Sequence, residues 1–169
     1  MTTAPIIFDE HEKAADVLAT LASCTHNGFP VVRAGKDGKH LFLGLVLRSQ
    51  LHLLLKAKQF ATAQRESTGY RERMQVPPRH IHDSILAAPS HTLQEAYGLS
   101  DEETTQLLDI GSILNRSPFT VRQDCPLSRT QELFTSMGLR HLVVLDHGAQ
   151  IVGIVTRQNL LNLTEQSFV

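Results

Sequence analysis

The chain contains one sequence unit twice, and this repetition restricts the folds that it can adopt. The first copy has the run His26-Asn27-Gly28-Phe29-Pro30-Val31-Val32 and then Gly44-Leu45-Val46-Leu47-Arg48. The second copy has the run Leu139-Arg140-His141-Leu142-Val143-Val144 and then Gly153-Ile154-Val155-Thr156-Arg157. In both copies the apolar run ends in Val-Val, and a leucine stands three residues after the arginine. A repeat of this kind indicates one small module used twice, with a cleft between the copies.

Composition narrows the class of protein. The 169 residues include 16 basic and 17 acidic side chains, so no strong positive charge suggests a nucleic-acid partner. The longest apolar run, Leu41 to Leu47, is far shorter than the ~20 residues that a membrane helix needs. No secretory signal opens the chain, and we expect this polypeptide by itself to be soluble.

Nothing in the sequence predicts catalysis or a metal site. Cys24 and Cys125 have no Cys-x-x-Cys neighbour, and two buried free thiols are expected. His80 and His82 would place two imidazoles on one side of a strand, but no third ligand is evident. We find no Ser-His-Asp or paired-carboxylate pattern, so the chain is not expected to be an enzyme.

Each copy is predicted to run strand, helix, strand, strand, helix. In the first copy these are a strand at Pro5–Phe8, a helix from Asp9 or Glu10 with Ala14, Val17, Leu18 and Leu21 inward, strands at Phe29–Arg33 and Leu41–Leu47, and a helix from Gln50 to about Gln59 capped by Ser49. In the second they are a strand at Phe119–Arg122, a helix from Pro126 to Gly138 with Leu127, Phe134 and Met137 inward, strands at His141–Leu145 and Gln150–Val155, and a helix from Thr156 to roughly Leu163.

Residues 61–112 separate the copies and lack the periodic apolar pattern. They contain Arg65, Arg71, Arg73, the pair Pro77-Pro78 and an acidic run at Asp101-Glu102-Glu103. Ser100 and Glu103 have capping-box spacing for a short helix to Ile110, and Asp109 could cap another turn at Gly111 to Leu114. We predict a first module at 1–60, a variable and partly mobile linker at 61–112 that is cut rapidly by proteases between Ala61 and Ser100, and a second module at 113–169.

These motifs resemble a tandem pair of cystathionine-beta-synthase (CBS) domains, and more specifically the cytoplasmic C-terminal region of eukaryotic CLC chloride channels and chloride/proton exchangers. The segment Asn115-Arg116-Ser117-Pro118-Phe119-Thr120-Val121 fits that family too. The resemblance covers both modules. It implies an α/β fold of two pseudo-symmetric CBS modules that face each other through their sheets, with these residues buried: Val31, Val32, Leu45, Val143, Val144, Ile154 and Val155.

The resemblance also implies a function. The chain would be the cytosolic regulatory part of a CLC-type chloride transport protein, in which it modulates gating or transport. Its partners would be the membrane transport domain of the same polypeptide and a second copy in a homodimer. It would lie at the cytoplasmic face of the plasma membrane or an organelle membrane, without entering the bilayer.

No cofactor is required by this reading, but adenine nucleotides are implied as regulatory ligands. In nucleotide-binding CBS proteins the adenine lies between the modules, an acid on the last helix meets the ribose, and the phosphates approach the N-terminus of that helix. Transferred to this chain, Thr156 would meet the phosphate or ribose of ATP, ADP or AMP, and Asn159 stands in place of the acid. The adenine wall would be Ile6, Ile7, His26, Asn27, Gly28, Phe29 and Pro30.

Asn159 departs from the family pattern. It offers one neutral acceptor and an amide donor, where an aspartate offers two ionised acceptors. Nucleotide binding is expected to weaken by about 1 kcal/mol. Relief of charge repulsion with the phosphates would offset part of this loss.

Several alternatives stay open. Thr156 and Asn159 would equally suit an ordinary helix cap, and His26 suits an exposed loop. The matching site of the first module has Leu47 and Gln50, and we expect it to be empty. Arg48 and Arg157 would pair with phosphates or with acids of the opposite module. The whole chain would also suit a ligand-free scaffold for dimerisation, assembly or trafficking of a transporter, or the regulatory part of a metabolic enzyme such as an IMP dehydrogenase.

Overall fold

The computed structural model describes residues 5–35, 38–61 and 90–160. The predictions for Arg65, Arg71, Arg73, Pro77, Pro78, His80, His82 and the end of the last helix at Leu163 lie outside these residues. The elements are β1 (Phe8–Asp9), β2 (His11–Lys13), α1 (Ala14–Ser23), β3 (Gly28–Ala34), β4 (His40–Leu47), α2 (Arg48–Lys56), α3 (Ser90–Ala96), α4 (Asp101–Thr104), β5 (Leu107–Asp109), a 3-10 helix (Ile110–Ser112), β6 (Thr120–Arg122), α5 (Leu127–Met137), β7 (His141–Leu145) and β8 (Ile151–Thr156). Residues 157–160 begin a last helix.

Two equivalent three-stranded sheets confirm the predicted α/β duplication. Their strand orders are β1-β3-β4 and β6-β7-β8, and in each the first pair is parallel and the second antiparallel. Val31 pairs with Gly44 and Val144 pairs with Gly153, and the register shifts directly after each of these pairs. Val31 is therefore equivalent to Val144, so the two Val-Val pairs are offset by one residue in the fold.

The first helix begins later than its apolar pattern predicts. His11–Lys13 forms strand β2 and pairs antiparallel with β5, so the prediction of a helix from Asp9 or Glu10 is wrong. The pairing fixes an extended backbone over these residues, and α1 starts at Ala14. Its predicted inward stripe is confirmed by the burial of Ala14, Val17, Leu18 and Leu21. The predicted strand at Pro5 also begins later, at Phe8.

Helix α2 begins at Arg48, with Leu47 as its N-cap residue, and it ends at Lys56. Ser49 lies inside the helix, so the prediction that it caps the helix is wrong. The Leu47 N–H donates to the Gln50 Oε1 atom at 2.8 Å instead. A side chain in the first turn thus satisfies the backbone at the helix start.

Helix α5 runs from Leu127 to Met137 and ends where the sequence predicts, at a Gly138 with the left-handed φ of 61°. Of its predicted inward residues, Phe134 is buried, but Leu127 and Met137 are 47% and 53% exposed. The prediction that Leu127 and Met137 point inward is wrong, because the core of the second module is small. That core has only Phe134, Leu139, Leu142 and Leu160 as buried members.

The predicted core is confirmed for Val31, Val32, Leu45 and Val143, which are all buried. Val144, Ile154 and Val155 are only half-buried, which corrects the prediction. Ile154 and Val155 belong to β8, the edge strand of its sheet, and fewer neighbours cover an edge strand.

The final part of the segment between the copies is packed structure. Leu93, Leu99, Leu108 and Ile110 belong to the core of the first module. The capping box at Ser100 and Glu103 is confirmed, with bonds of 3.2 and 2.8 Å, although α4 ends at Thr104 because the chain turns into β5. The Asp109 side chain makes no cap bond to the 3-10 helix that follows it. The division at residues 61 and 112 stays a prediction.

Candidate functional site

The two modules meet at equivalent residues. Relative to Val31 and Val144, Gly28 of β3 is equivalent to His141 of β7. A Cβ atom on Gly28 would lie 2.9 Å from the Cδ2 atom of His141, so a larger residue there would have to displace the His141 ring. Two equivalent positions in contact define a pseudo-twofold axis between the starts of β3 and β7.

This contact brings two helix beginnings to the same end of the module pair. Leu47, at the start of α2, is the ladder partner of Gly28. Thr156, at the start of the last helix, is the ladder partner of His141. The first turns of both helices therefore flank the pseudo-twofold axis, with their backbone N–H groups at its two sides.

Thr156 and Asn159 form a reciprocal cap. The Thr156 N–H donates to Asn159 Oδ1 at 2.9 Å, and the Thr156 hydroxyl donates to the same oxygen at 2.6 Å. The Asn159 N–H reaches the Thr156 Oγ1 atom at 3.4 Å. The Asn159 carbonyl oxygen is thus used within the helix turn, while its side-chain amide can donate to another group. Asn159 is exposed and Thr156 is half-buried.

The equivalent position in the first module is tied to the chain itself. Gln50 accepts from the Leu47 N–H, and its Nε2 atom donates to the Ile113 carbonyl at 3.2 Å. Ile113 belongs to the segment that leads into the second module. Both ends of the Gln50 amide therefore have partners, and Leu47 has no hydroxyl to offer a ligand.

The two motif arginines bind backbone carbonyls of their own module. Arg48 is buried and donates to the carbonyls of Leu21, Cys24 and His26, with 2.9 Å to Cys24. The exposed Arg157 donates through Nε to the Leu139 carbonyl at 2.9 Å. Leu139 is equivalent to His26 in the register of the strands. In these bonds the partners are carbonyls next to the middle strand of each sheet, β3 or β7, and not the expected acids or phosphates.

The predicted adenine wall divides into accessible and buried residues. His26 and Asn27 are exposed, and the Asn27 carbonyl accepts from the Arg48 N–H at 3.0 Å. Gly28, Phe29 and Pro30 are buried. The Phe29 ring is a core side chain 5.2 Å from the Phe8 ring, which removes it from the surface of the cleft.

Ile6 and Ile7 precede β1 on the same module. Ile6 packs against the first core, whereas Ile7 is 38% exposed. The accessible part of the predicted wall is therefore Ile7, His26 and Asn27.

The charges near this end of the modules are positive. Arg140 directly precedes His141, and Arg157 directly follows Thr156. Both arginines are exposed. Burial, followed by the charge of Arg140, lowers the pKa of His141. The uncharged imidazole form is favoured where the modules touch, and the guanidinium groups and helix N-termini make the surroundings suitable for an anion.

His141 is the residue that sequence reasoning missed. The one-residue offset of the Val-Val pairs concealed its equivalence with Gly28, which a comparison anchored on Gly44 and Gly153 would have shown. Among the described residues, no group of three or more His, Cys, Asp and Glu side chains could hold a metal ion.

Comparisons with known proteins agree with this architecture. Residues 110–165 match the family model of the CBS domain. The chain is 41% identical over 146 residues to the H(+)/Cl(-) exchange transporter 7 of Homo sapiens, which covers 86% of this chain and 17% of that protein. It is 33% identical over 157 residues to the chloride channel protein CLC-d of Arabidopsis thaliana, or 88% of this chain and 19% of that protein. The chain thus spans less than a fifth of the length of these relatives.

Solved structures give the fold. CBSX2 in complex with AMP aligns with a TM-score of 0.56 and 18% identity, covering 98% of this chain and 90% of that one. Staphylococcus aureus OpuCA aligns with a TM-score of 0.56 and 12% identity, covering 98% and 97%. In the part of the chain that the structure describes, none of the helices has the length and apolar character needed to cross a bilayer.

Proposed function

We propose a function from one premise, which is that this chain is a CBS-domain pair homologous to CLC chloride transport proteins. The proposal is that the chain is the regulatory domain of such a transporter. In this proposal it lies at the cytoplasmic face of a membrane, acts as a homodimer and modulates gating or transport by the membrane part of the same polypeptide. The sequence similarity supports the kind of protein. The contact of Gly28 with His141 supports a shared cleft, because it brings both helix starts to one end.

We further propose an adenine nucleotide as the ligand of this cleft. The fold neighbour CBSX2 binds AMP, and this chain has the same kind of module pair. The nucleotide phosphates would approach the helix that begins after Thr156, near Arg157 and Arg140. The base would lie against Ile7, His26 and Asn27, and the backbone of Gly28 to Pro30.

Binding has a specific cost in this chain. A ribose hydroxyl that donates to Asn159 Oδ1 must compete with the Thr156 N–H and hydroxyl, which already bond this oxygen. The Asn159 side-chain amide would have to donate to a ribose oxygen instead. A ligand bound in this way regulates transport only if it binds two arrangements of the modules unequally.

Titration calorimetry of ATP, ADP and AMP with three variants tests the site. Asn159→Asp is expected to tighten binding by about fivefold, since it gives the ribose an ionised acceptor, a gain of about 1 kcal/mol. Thr156→Ala is expected to weaken binding severalfold by removing the hydroxyl at the helix start. Gln158→Asp is the matched control, because it adds the same charge in the same turn without occupying the ribose position.

Two results would count against the proposal. Equal tightening by Asn159→Asp and Gln158→Asp would assign the effect to general charge and not to the ribose contact. No binding heat and no rise in melting temperature with millimolar ATP, ADP or AMP would remove the nucleotide. A ligand-free scaffold for assembly would then remain, in keeping with the reciprocal cap of Thr156 and Asn159.

A further inference from the structure

The segment that connects the two modules carries a serine followed by a proline. Ser117 lies between the antiparallel pair of Asn115 with Leu45 and the start of β6 at Thr120. The sequence contains seven prolines, and Pro118 is the only one that follows a serine or a threonine. An enzyme that recognises this dipeptide therefore has a single target in the chain.

The Ser117 hydroxyl is accessible. Ser117 is exposed, and its N–H donates to the Asn115 Oδ1 atom at 3.1 Å. In the part of the chain that the structure describes, no hydrogen bond joins the Ser117 hydroxyl to another residue. The hydroxyls of Ser112 and Ser136, by contrast, donate to backbone carbonyls at 2.7 Å. A reaction at the Ser117 oxygen thus breaks no bond within the fold.

Pro118 shapes the backbone around this hydroxyl. Proline has no N–H, and it disfavours the helical conformation for the residue before it. Ser117 accordingly belongs to no helix, and the chain enters strand β6 three residues later. Proline-directed protein kinases recognise a serine whose following residue is proline, and they bind the substrate chain in a non-helical conformation. The dipeptide therefore has both the sequence and the backbone that this class of enzyme requires.

Arg116 supplies a positive charge directly beside Ser117. Its side chain is 56% exposed, its Nη2 atom lies 3.6 Å from the Glu10 Oε1 atom, and it donates to the Gly111 carbonyl at 3.4 Å. Both contacts are longer than the ~2.7–2.9 Å of a strong charge-assisted bond. Glu10 also accepts from the Arg33 Nε atom at 2.9 Å. Arg116 can therefore turn to another anion without leaving the Glu10 carboxylate unpaired.

We propose that Ser117 is a phosphorylation site for a proline-directed serine/threonine kinase, and that its phosphate binds Arg116. ATP is the phosphoryl donor. A bond forms between the Ser117 Oγ atom and the γ-phosphorus while the bond from this phosphorus to the ADP oxygen breaks, and the hydroxyl proton passes to a base of the kinase. The product carries a charge of about −2 and three acceptor oxygens. It draws Arg116 away from Glu10, so it changes the contacts of the segment that connects the modules.

Phosphorylation of the full chain in vitro tests the site. The chain is incubated with ATP, Mg²⁺ and a purified proline-directed kinase, and mass spectrometry of its peptides locates the modified residue. We expect one phosphoryl group, on Ser117, and none in Ser117→Ala. Pro118→Ala should be modified at least about tenfold more slowly, because the recognised proline is lost. Ser136→Ala is the matched control, since it removes an exposed serine that no proline follows, and it should react at the parent's rate.

Phosphorus NMR of the modified chain tests the role of Arg116. A guanidinium group beside the phosphate lowers its second pKa, since the doubly charged form gains an ion pair. Arg116→Gln should therefore raise this pKa toward the value of a phosphoserine in an unfolded peptide. Arg122→Gln, which removes an exposed arginine of β6, should leave it unchanged.

Three results would count against these expectations. A parent chain that takes no phosphate at Ser117 would overturn the proposal, and so would equal rates for the parent and Pro118→Ala. An equal phosphate pKa in the parent and in Arg116→Gln would exclude Arg116 as the partner of the phosphate. Nucleotide binding in the cleft has no part in these readouts, so this proposal and the nucleotide site fail separately.

Discussion

At the residue scale, the most unusual group is a buried histidine. His52 of α2 is 2% exposed, and its Nδ1 atom shares a hydrogen bond with the Tyr97 hydroxyl. Its Nε2 atom has no hydrogen-bond partner among the described residues. Burial, followed by the charge of Arg48, lowers the pKa of His52 to about 4, and burial raises the pKa of Tyr97 to about 12. Both groups are held in their neutral forms at neutral pH.

The lowered pKa of His52 predicts a loss of stability in acid. Between the unfolded pKa of 6.5 and the folded value of about 4, the unfolded chain binds a proton at this position and the folded chain does not. The free energy of unfolding should therefore fall as pH decreases through this window, by about 2 kcal/mol from this residue at pH 5. Urea unfolding at pH 7.5 and pH 5 measures the change.

The variant His52→Gln isolates this contribution, because it cannot titrate. Its stability should fall by about 2 kcal/mol less than that of the parent chain over the same pH range. His147→Gln, in the exposed turn between β7 and β8, should keep the parent's pH dependence. An equal loss in the parent and in His52→Gln would contradict the prediction.

At the element scale, the two motif arginines occupy equivalent positions but differ in burial and in the hydrogen bonds that they donate. Arg48 and Arg157 stand at equivalent helix starts and both donate to carbonyls of the preceding loop. Arg48 also donates to the Leu21 carbonyl, which has no partner N–H within the last turn of α1. The Arg48 side chain is only 3% exposed. Arg157 is exposed.

This difference predicts unequal costs for the same substitution. Arg48→Met should destabilise the chain by about 3 kcal/mol, because buried carbonyls lose charged donors. Arg157→Met, the matched control, should cost about 1 kcal/mol or less, since water can replace the lost donor. Urea unfolding measures both values. Equal costs for the two variants would show that burial of Arg48 does not set its contribution.

Sequence reasoning succeeded where a local signal decides the element. Gly138 ended α5, and Ser100 with Glu103 began α4, because each acts through bonds within one turn. Sequence reasoning failed where pairing with a segment far away in the sequence determines the secondary structure. The apolar stripe of α1 gives no sign that His11–Lys13 pairs with Leu107–Asp109, almost a hundred residues away.

The candidate site divides in the same way. The spacing of Thr156 and Asn159 suits both a helix cap and a ligand site, and the structure has the cap bonds. The sequence of the loop at His26 suits an exposed side chain as well as an adenine contact, and His26 is exposed. The burial of Phe29 and the contact of His141 with Gly28 depend on how the modules pack, which the spacing of residues within one copy does not contain.

At the scale of the whole molecule, the described part of the inserted segment belongs to the first module. Leu93 of α3 and Leu108 of β5 are fully buried in a core that α1 and α2 share. Asn115 then pairs with Leu45 before strand β6 begins. The first copy of the repeat is therefore incomplete without the residues that follow it.

This arrangement predicts that the molecule stays whole when the chain is cut in the segment 62–89. A protease recognition sequence inserted there would yield two pieces, of which the second carries α3 and β5. Separation would expose Leu93, Leu108 and Ile110, and burial of each such side chain contributes about 1.5–3 kcal/mol. The cut pieces should therefore elute together in size-exclusion chromatography at micromolar concentration.

Leu108→Asp is the comparison variant, and it should release the pieces because it puts a charge into the shared core. Pieces that separate without this substitution would show that the buried leucines do not hold the two parts together.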